Sequence, residues 1–194
     1  MRQPFYRYFL AFRPNRAQCR LLGSLAGIAG QNGKRVEEDY LHLTLCVIAE
    51  LARRNEFMAA RVASALADHP LTSCPFWLGP LRGGENGAAV HAMKRQREIQ
   101  AFYRKLVALL AARDILPLHR KSGLRPHVTL GYDPCVLEPL VLPFEWTPDE
   151  LLLIESEVGR GVHNVLARWP LLPPRQGRLP FEDPPEPGPL RLAA

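Results

Sequence analysis

Two short apolar stretches share the pattern histidine, apolar residue, threonine and leucine, and this repeat is the strongest constraint on the fold. The first occupies residues 41–45 and holds His42 and Thr44, and the second occupies residues 126–130 and holds His127 and Thr129. Short apolar runs of this kind are typical of β-strands, in which residues two apart share a face. Each strand is therefore predicted to bury its aliphatic residues and to present histidine and threonine together.

A single strand of this kind would indicate no function, because a lone strand histidine is usually exposed or a satisfied core residue. Two copies, each followed by leucine, favour a shared chemical role. We therefore take His42, Thr44, His127 and Thr129 as candidate catalytic residues.

The composition is that of an ordinary globular protein, with 194 residues, 47% hydrophobic and 23% charged. No apolar run approaches the ~20 residues that span a bilayer, and the N-terminus lacks the apolar segment of a signal peptide. The four cysteines are scattered without a Cys-x-x-Cys pair. This argues against a zinc site or a disulfide framework and favours a cytoplasmic protein with no membrane association.

The chain carries a net charge of +6, supplied mainly by arginine. The planar guanidinium group suits phosphate, so a polyanionic partner such as RNA is one explanation. A coding bias of the source genome toward arginine is the other. The charge alone leaves both open.

The remaining pattern alternates strands with helices. Strands are predicted at residues 6–12, 150–158 and 162–172 beside the two motif strands, and the Asn-Gly pair at residues 86–87 indicates a hairpin rather than a phosphate loop. Helices are predicted after Asn55 and over residues 95–113. A further helix begins at residues 14–15, and its apolar stripe is predicted to be Ala17, Leu21, Leu25 and Ile28.

These elements predict an α+β protein with two pseudo-repeated lobes, each contributing one histidine strand. Antiparallel or mixed sheets are expected to line a central cleft, with the helices on the outside. Beyond residue 172 proline and charge dominate. The predicted division is therefore a domain over residues 1–172 and a proline-rich tail over residues 173–194.

The paired motifs resemble those of the two-histidine (2H) phosphoesterases, and specifically the RNA 2′,3′-cyclic phosphodiesterases, also called 2′-5′ RNA ligases. The similarity runs in order through about residues 5–170. It includes an opening strand at residues 7–12, both motif strands and a closing strand at residues 153–156.

The resemblance implies hydrolysis of RNA 2′,3′-cyclic phosphate ends to 2′-phosphomonoesters, with reversible 2′-5′ ligation as a related activity. His42 would be the proton donor and His127 the proton acceptor; the residues alone do not distinguish these roles. The chemistry is coherent, because opening a cyclic phosphate needs one base for water and one acid for the leaving oxygen. No metal or cofactor is expected, and the protein would act as a monomer on RNA or nucleotides.

Three residues are predicted to bind substrate. Arg7 and Arg125 neighbour positions that match the family and are candidate phosphate contacts. Tyr132 stands where the family often has arginine, and Val47 where it often has an aromatic residue. Tyr132 is either a stacking surface for a base or an ordinary strand aromatic. Strand alternation places it opposite His127 unless a bulge follows Gly131.

The other histidines receive weaker predictions. His91 is expected to be structural, His119 is a candidate phosphate contact in a basic connection, and His163 or Asn164 replaces a tyrosine expected in the closing strands.

Three alternatives remain. The chain could be an RNA-binding module of this fold without catalysis, a metal protein using His42 and His127, or a 2H phosphodiesterase for another small cyclic nucleotide.

Overall fold

A computed structural model describes residues 5–31, 33–94, 96–118, 123–138 and 140–174. The predictions for His119 and for the tail beyond residue 174 fall outside this part of the chain. The strands are β1 (Phe5–Phe12), β2 (Leu43–Leu51), β3 (Phe76–Gly84), β4 (Gly87–Ala92), β5 (His127–Gly131), β6 (Leu140–Trp146), β7 (Glu150–Val158) and β8 (Val162–Pro170). The helices are α1 (Arg16–Ile28), α2 (Met58–Leu66) and α3 (Arg97–Ala111), with a short 3-10 helix at Glu38–Tyr40.

The strands form one open sheet in the order β6-β3-β4-β5-β2-β1-β7-β8, and the named strand pairs are antiparallel. The predicted α+β class is confirmed. Its two lobes are four-stranded halves of this sheet. They meet where β2 pairs with β5 through one residue pair, Leu43 with Val128. We call this meeting point the seam.

The main core lies on the face of the sheet that the three helices cover. On that side the alternate residues Tyr8, Leu10 and Phe12 of β1 are fully buried. The opposite face carries a small apolar cluster centred on Phe9 and Ile154. Because the described helices all pack on the first face, the second is left to form a cleft.

Helix α1 shows where the sequence pattern chose the wrong face. Its start is fixed by a capping box, in which the side chains of Asn15 and Gln18 each accept the other's backbone N–H at 3.0 Å. The predicted stripe was confirmed at Leu25, which is buried, and wrong at Ala17, Leu21 and Ile28, which are exposed, the last two at 37% and 56%. The buried face instead holds Cys19, Leu22, Gly23, Leu25 and Ala26. Adjacent leucines lie about 100° apart around a helix, and the connection from β1 decides which one enters the core.

Strand β6 was not predicted from the sequence. It is an edge strand with Val141 and Leu142 largely exposed, so it lacks the apolar alternation of a half-buried strand. Pro143 interrupts it, which an edge position tolerates because one side needs no hydrogen-bond donors. Trp146 at its end is buried and joins the strand to the core.

None of the helices in the described ranges combines the length and apolar character needed to cross a membrane.

Candidate active site

The seam brings the two motifs together. Leu43 pairs with Val128 in an antiparallel arrangement, so His42 lies across from Thr129 and Thr44 lies across from His127. The four side chains thus flank the one paired position, and each histidine is on the side of the other motif's threonine. The sequence predicted strands facing each other across a cleft; in the structure they are neighbours in one sheet.

The two strands part on both sides of the seam. On the C-terminal side of Val128, β5 hydrogen-bonds to the segment that precedes β2: the Val36 N–H donates to the Leu130 carbonyl at 2.8 Å. On the other side, β2 accepts a bond from Leu118 N–H at the Val47 carbonyl, at 2.7 Å. The site therefore lies where two diverging halves of the sheet touch.

Both motif histidines are held in the same way. Nδ1 of His42 lies 2.7 Å from the carbonyl of Tyr40, and Nδ1 of His127 lies 2.9 Å from the carbonyl of Arg125. A carbonyl only accepts, so Nδ1 must carry the hydrogen in each ring. Nε2 is then the atom left to exchange a proton in both histidines.

The ring of His42 is half-buried and closely packed. Its centroid lies 4.9 Å from that of Phe9 and 5.2 Å from that of His163, which meets it edge-on at 72°. Burial lowers the pKa of His42 to about 4, and the charges of His163, Arg13 and His127 act in the same direction. The bond to the Tyr40 carbonyl opposes this shift. Without an anion bound beside it, His42 is therefore neutral at pH 7.

The ring of His127 is exposed and has a different neighbour. His91 of β4 is its register partner, and the two rings stack with centroids 5.6 Å apart and planes 27° apart. Burial lowers the pKa of His91, with smaller contributions from the charges of His127 and Arg82. His91 thus supports the ring that the sequence predicted to be catalytic.

A cleft of about 460 Å³ opens over the seam. His42 and Thr129 line it, one from each half of the sheet, whereas Thr44 and His127 do not. Two arginines and one glutamate are among its lining residues, but one of the two guanidinium groups lies against Gly23 of α1 and the other pairs with Glu157 at 3.3 Å. The further lining residues are Arg35, Val36, Glu37, Tyr40, Tyr132, Arg160, Gly161, Val162 and His163.

Tyr132 lies in this cleft and is 59% exposed. Ala88 pairs with Gly131 and Ala89 with Thr129, so β5 bulges at Leu130 and turns Tyr132 toward the face of Thr129. The sequence required such an irregularity after Gly131; it lies one residue earlier.

A buried glutamine holds the segment that carries Tyr132. The Gln31 amide donates to the Asp133 carbonyl at 2.8 Å and accepts from Asp133 N–H at 2.9 Å. A side chain at Gly131 would collide with this amide, so glycine is needed there. The backbone N–H of Tyr132 also donates to the Lys34 carbonyl at 3.0 Å.

Arg7 and Arg125 do not line the cleft. The Arg7 guanidinium pairs with Glu50 at 2.6 Å, on the strand next to its own. Arg125 is exposed, and its backbone carbonyl rather than its guanidinium touches His127. The cleft arginines are instead Arg35 and Arg160, which the sequence analysis missed. Neither carries a motif signal: one lies in a polar segment and the other in a glycine-flanked turn.

Within the described ranges, no group of three or more His, Cys, Asp or Glu side chains is arranged to hold a metal ion.

The structure resembles several solved proteins over nearly its whole length. E. coli LigT complexed with 3′-AMP superposes with a TM-score of 0.66 at 20% identity, covering 87% of this chain and 98% of LigT. The chain has the LigT fold. The protein TT0787 of Thermus thermophilus gives a TM-score of 0.58 at 21% identity, covering 85% of this chain and 97% of TT0787.

A more distant similarity is to the MHV ns2 PDE domain, with a TM-score of 0.55 at 14% identity over 77% of this chain and 99% of that domain. Family models and curated proteins give no match to the sequence. The LigT fold agrees with the fold that the sequence resemblance implied.

Proposed function

We propose that this chain is a 2H phosphoesterase that hydrolyses RNA 2′,3′-cyclic phosphate ends to 2′-phosphomonoesters. One observation supports the proposal: the two motifs meet at the seam, and both histidine Nδ1 atoms are fixed on backbone carbonyls. This leaves two Nε2 atoms for proton transfer. The complexes of E. coli LigT with 3′-AMP and with phosphate are consistent with a nucleotide substrate.

The proposed reaction is an in-line displacement at phosphorus. Nε2 of His127 takes a proton from water as the water oxygen bonds to phosphorus. The bond from phosphorus to the ribose 3′ oxygen breaks, and Nε2 of His42 gives that oxygen a proton. The product is a 2′-phosphomonoester with a free 3′ hydroxyl, and ligation would be a related displacement by a ribose hydroxyl instead of water.

The low pKa of His42 bears on its role as acid. At pH 7 the ring is neutral when no anion is bound, so it must gain a proton when substrate binds. A phosphate anion beside an imidazole favours the charged form and raises its pKa. The opposite assignment, with neutral His42 as the base and His127 as the acid, is the competing version of the same mechanism.

The other polar groups have supporting roles in this proposal. The hydroxyls of Thr44 and Thr129 donate to non-bridging oxygens of the phosphate, as preorganised donors do where charge develops. Arg160 attracts the phosphate into the cleft, and Tyr132 offers a flat surface to the terminal base. Because Arg7 and Arg125 do not line the cleft, in this proposal they would contact phosphates of the RNA beyond the terminal nucleotide.

A product assay tests the function. A short RNA ending in 2′,3′-cyclic phosphate is incubated with the protein, with and without EDTA, and the new end is identified as a 2′- or 3′-phosphate. We expect a 2′-phosphate and no effect of EDTA. Binding of the RNA without turnover would support the non-catalytic module instead, and loss of activity in EDTA with recovery on adding a divalent ion would contradict the two-histidine mechanism.

A parallel assay with nucleoside 2′,3′-cyclic monophosphates and with a 3′,5′-cyclic nucleotide separates RNA ends from other small substrates. Turnover of the 3′,5′-cyclic nucleotide alone would favour a different cyclic nucleotide phosphodiesterase.

A further inference from the structure

His163 lines the cleft but has no part in the proton transfers described above. It comes from β8, and its ring meets those of His42 and Tyr40 edge-on, at centroid distances of 5.2 and 5.0 Å. Phe9 lies 5.8 Å away on a third side. The ring is therefore held in one place beside the proposed acid.

Two buried polar atoms near this ring have no hydrogen-bond partner among the residues the structure describes. They are Nδ1 of His163 and Nε of Arg13. The Arg13 charge lowers the pKa of both His42 and His163, so the guanidinium acts electrostatically on both rings. Each buried polar atom left unpaired costs about 1–3 kcal/mol. A single water that bonds to both atoms would remove both penalties.

That pairing determines the tautomer of His163. A water that accepts from Arg13 Nε–H turns its own hydrogens away from the guanidinium, so it donates to the lone pair of Nδ1 and the ring hydrogen sits on Nε2. This is the reverse of His42 and His127, whose Nδ1–H groups face carbonyls. Burial and the Arg13 charge also lower the pKa of His163, which keeps the ring neutral at pH 7.

We propose that His163 is a substrate-contacting residue whose neutral Nε2–H donates to a non-bridging oxygen of the bound phosphate. The inference rests on the proposed function for the identity of the phosphate. Its role differs from those of the other two rings, because a neutral donor stabilises charge on phosphorus without exchanging a proton. The chain thus combines two proton-transfer imidazoles with one fixed donor.

Two substitutions of His163 separate this role from packing and from proton transfer. His163→Phe keeps an aromatic ring against Tyr40 and Phe9 but removes the donor. We expect kcat for a nucleoside 2′,3′-cyclic phosphate to fall by about 10–100-fold, less than for a sole oxyanion donor because the threonines remain. In His163→Gln the amide nitrogen can occupy the place of Nε2, so activity should return to within about fivefold of wild type.

The control is His69→Phe, at an exposed position after α2, which should leave kcat unchanged. Wild-type kcat in His163→Phe would reduce His163 to a packing role. A Gln variant as impaired as the Phe variant, with a shifted pH profile, would show that His163 transfers protons. Either result overturns the inference.

A measurement that needs no turnover distinguishes failure of this inference from failure of the proposed function. Nitrogen-15 spectra of the histidines at pH 7 should show hydrogen on Nε2 of His163 and on Nδ1 of His42 and His127. Added inorganic phosphate should move the Nε2–H signal of His163. If cyclic phosphates are not hydrolysed but these signals hold, only the proposed function fails. If they are hydrolysed and His163 carries its hydrogen on Nδ1 or ignores phosphate, the inference fails.

Discussion

The two halves of the sheet carry the same motif in different surroundings. His42 is half-buried against Phe9 and His163 and feels the charge of Arg13, whereas His127 is exposed and stacks on His91. The bond that orients each ring is nevertheless the same, from Nδ1 to the carbonyl two residues earlier. Local backbone geometry is thus repeated while burial is not.

The difference shows how a repeated motif can acquire two roles. The motif residues fix where each Nε2 lies, and the residues packed around each ring set its affinity for a proton. For His42 those residues come from β1 and β8, far from the motif in sequence. An asymmetric pair suits a reaction that needs one acid and one base at the same time.

The largest expected effect comes from removing either ring. His42→Ala and His127→Ala should each lower kcat for a 2′,3′-cyclic phosphate by about 10²–10⁴, the usual contribution of general acid–base catalysis. Single-turnover kinetics on each purified variant would measure it. His69→Ala, remote from the seam, provides the control and should have wild-type kcat.

Near-full activity in either histidine variant would show that the halves are not both catalytic. The arrangement of the four motif residues around the seam would then serve the structure rather than catalysis.

The pH dependence of stability should differ between the halves. The pKa of His42 is about 4 in the folded protein and close to its ordinary value of 6.5 in the unfolded chain. Between pH 4 and 6.5, His42 is therefore protonated in the unfolded chain and neutral in the folded protein. The free energy of unfolding should therefore fall as pH drops from 7 to 4, by up to about 3 kcal/mol from this group, and level off below.

Urea unfolding of wild type and of His42→Phe, which keeps a ring but cannot titrate, measures this contribution. The variant should lose part of the slope between pH 7 and 4. Parallel curves for wild type and His42→Phe would show that the surroundings of His42 do not resist its protonation.

A smaller difference is expected at the fifth position after each histidine, Tyr132 in one half and Val47 in the other. Losing a base stack costs about 1–3 kcal/mol, so Tyr132→Ala should raise KM for a nucleotide by roughly 5- to 150-fold with little change in kcat. Tyr132→Phe should be nearly silent.

Val47→Ala is the matched control. Val47 packs on the apolar cluster beneath the cleft, so its truncation should lower stability by about 1 kcal/mol without raising KM. Unchanged KM in Tyr132→Ala would place the base elsewhere in the cleft.

The sequence was sufficient for elements with strong local signals. The α+β class, the hairpin of β3 and β4 and both motif strands follow from apolar patterns and turn residues. The pattern failed where packing decides: Leu22 rather than Leu21 enters the core, and edge strand β6 lacks alternation. A bulge at Leu130 is likewise a product of pairing with β4, and the sequence indicated only that one was needed.

The candidate site was predictable only in part for the same reason. The motif marks the two histidines and two threonines, but Arg160 and His163 reach the cleft on the β7–β8 hairpin, and Arg13 acts on His42 through its charge. No local sequence motif marks Arg13 or Arg160 as residues of the site.

The division of roles between the two rings is tested most directly by changing the leaving group. In the 4-nitrophenyl ester of a 3′-deoxynucleoside 2′-phosphate, nitrophenolate departs without needing a proton, whereas water must still be activated. On this ester we expect His42→Ala to come within about tenfold of wild type and His127→Ala to stay about 10²-fold or more below it. A smaller loss for His127→Ala than for His42→Ala would contradict the account and make His42 the base.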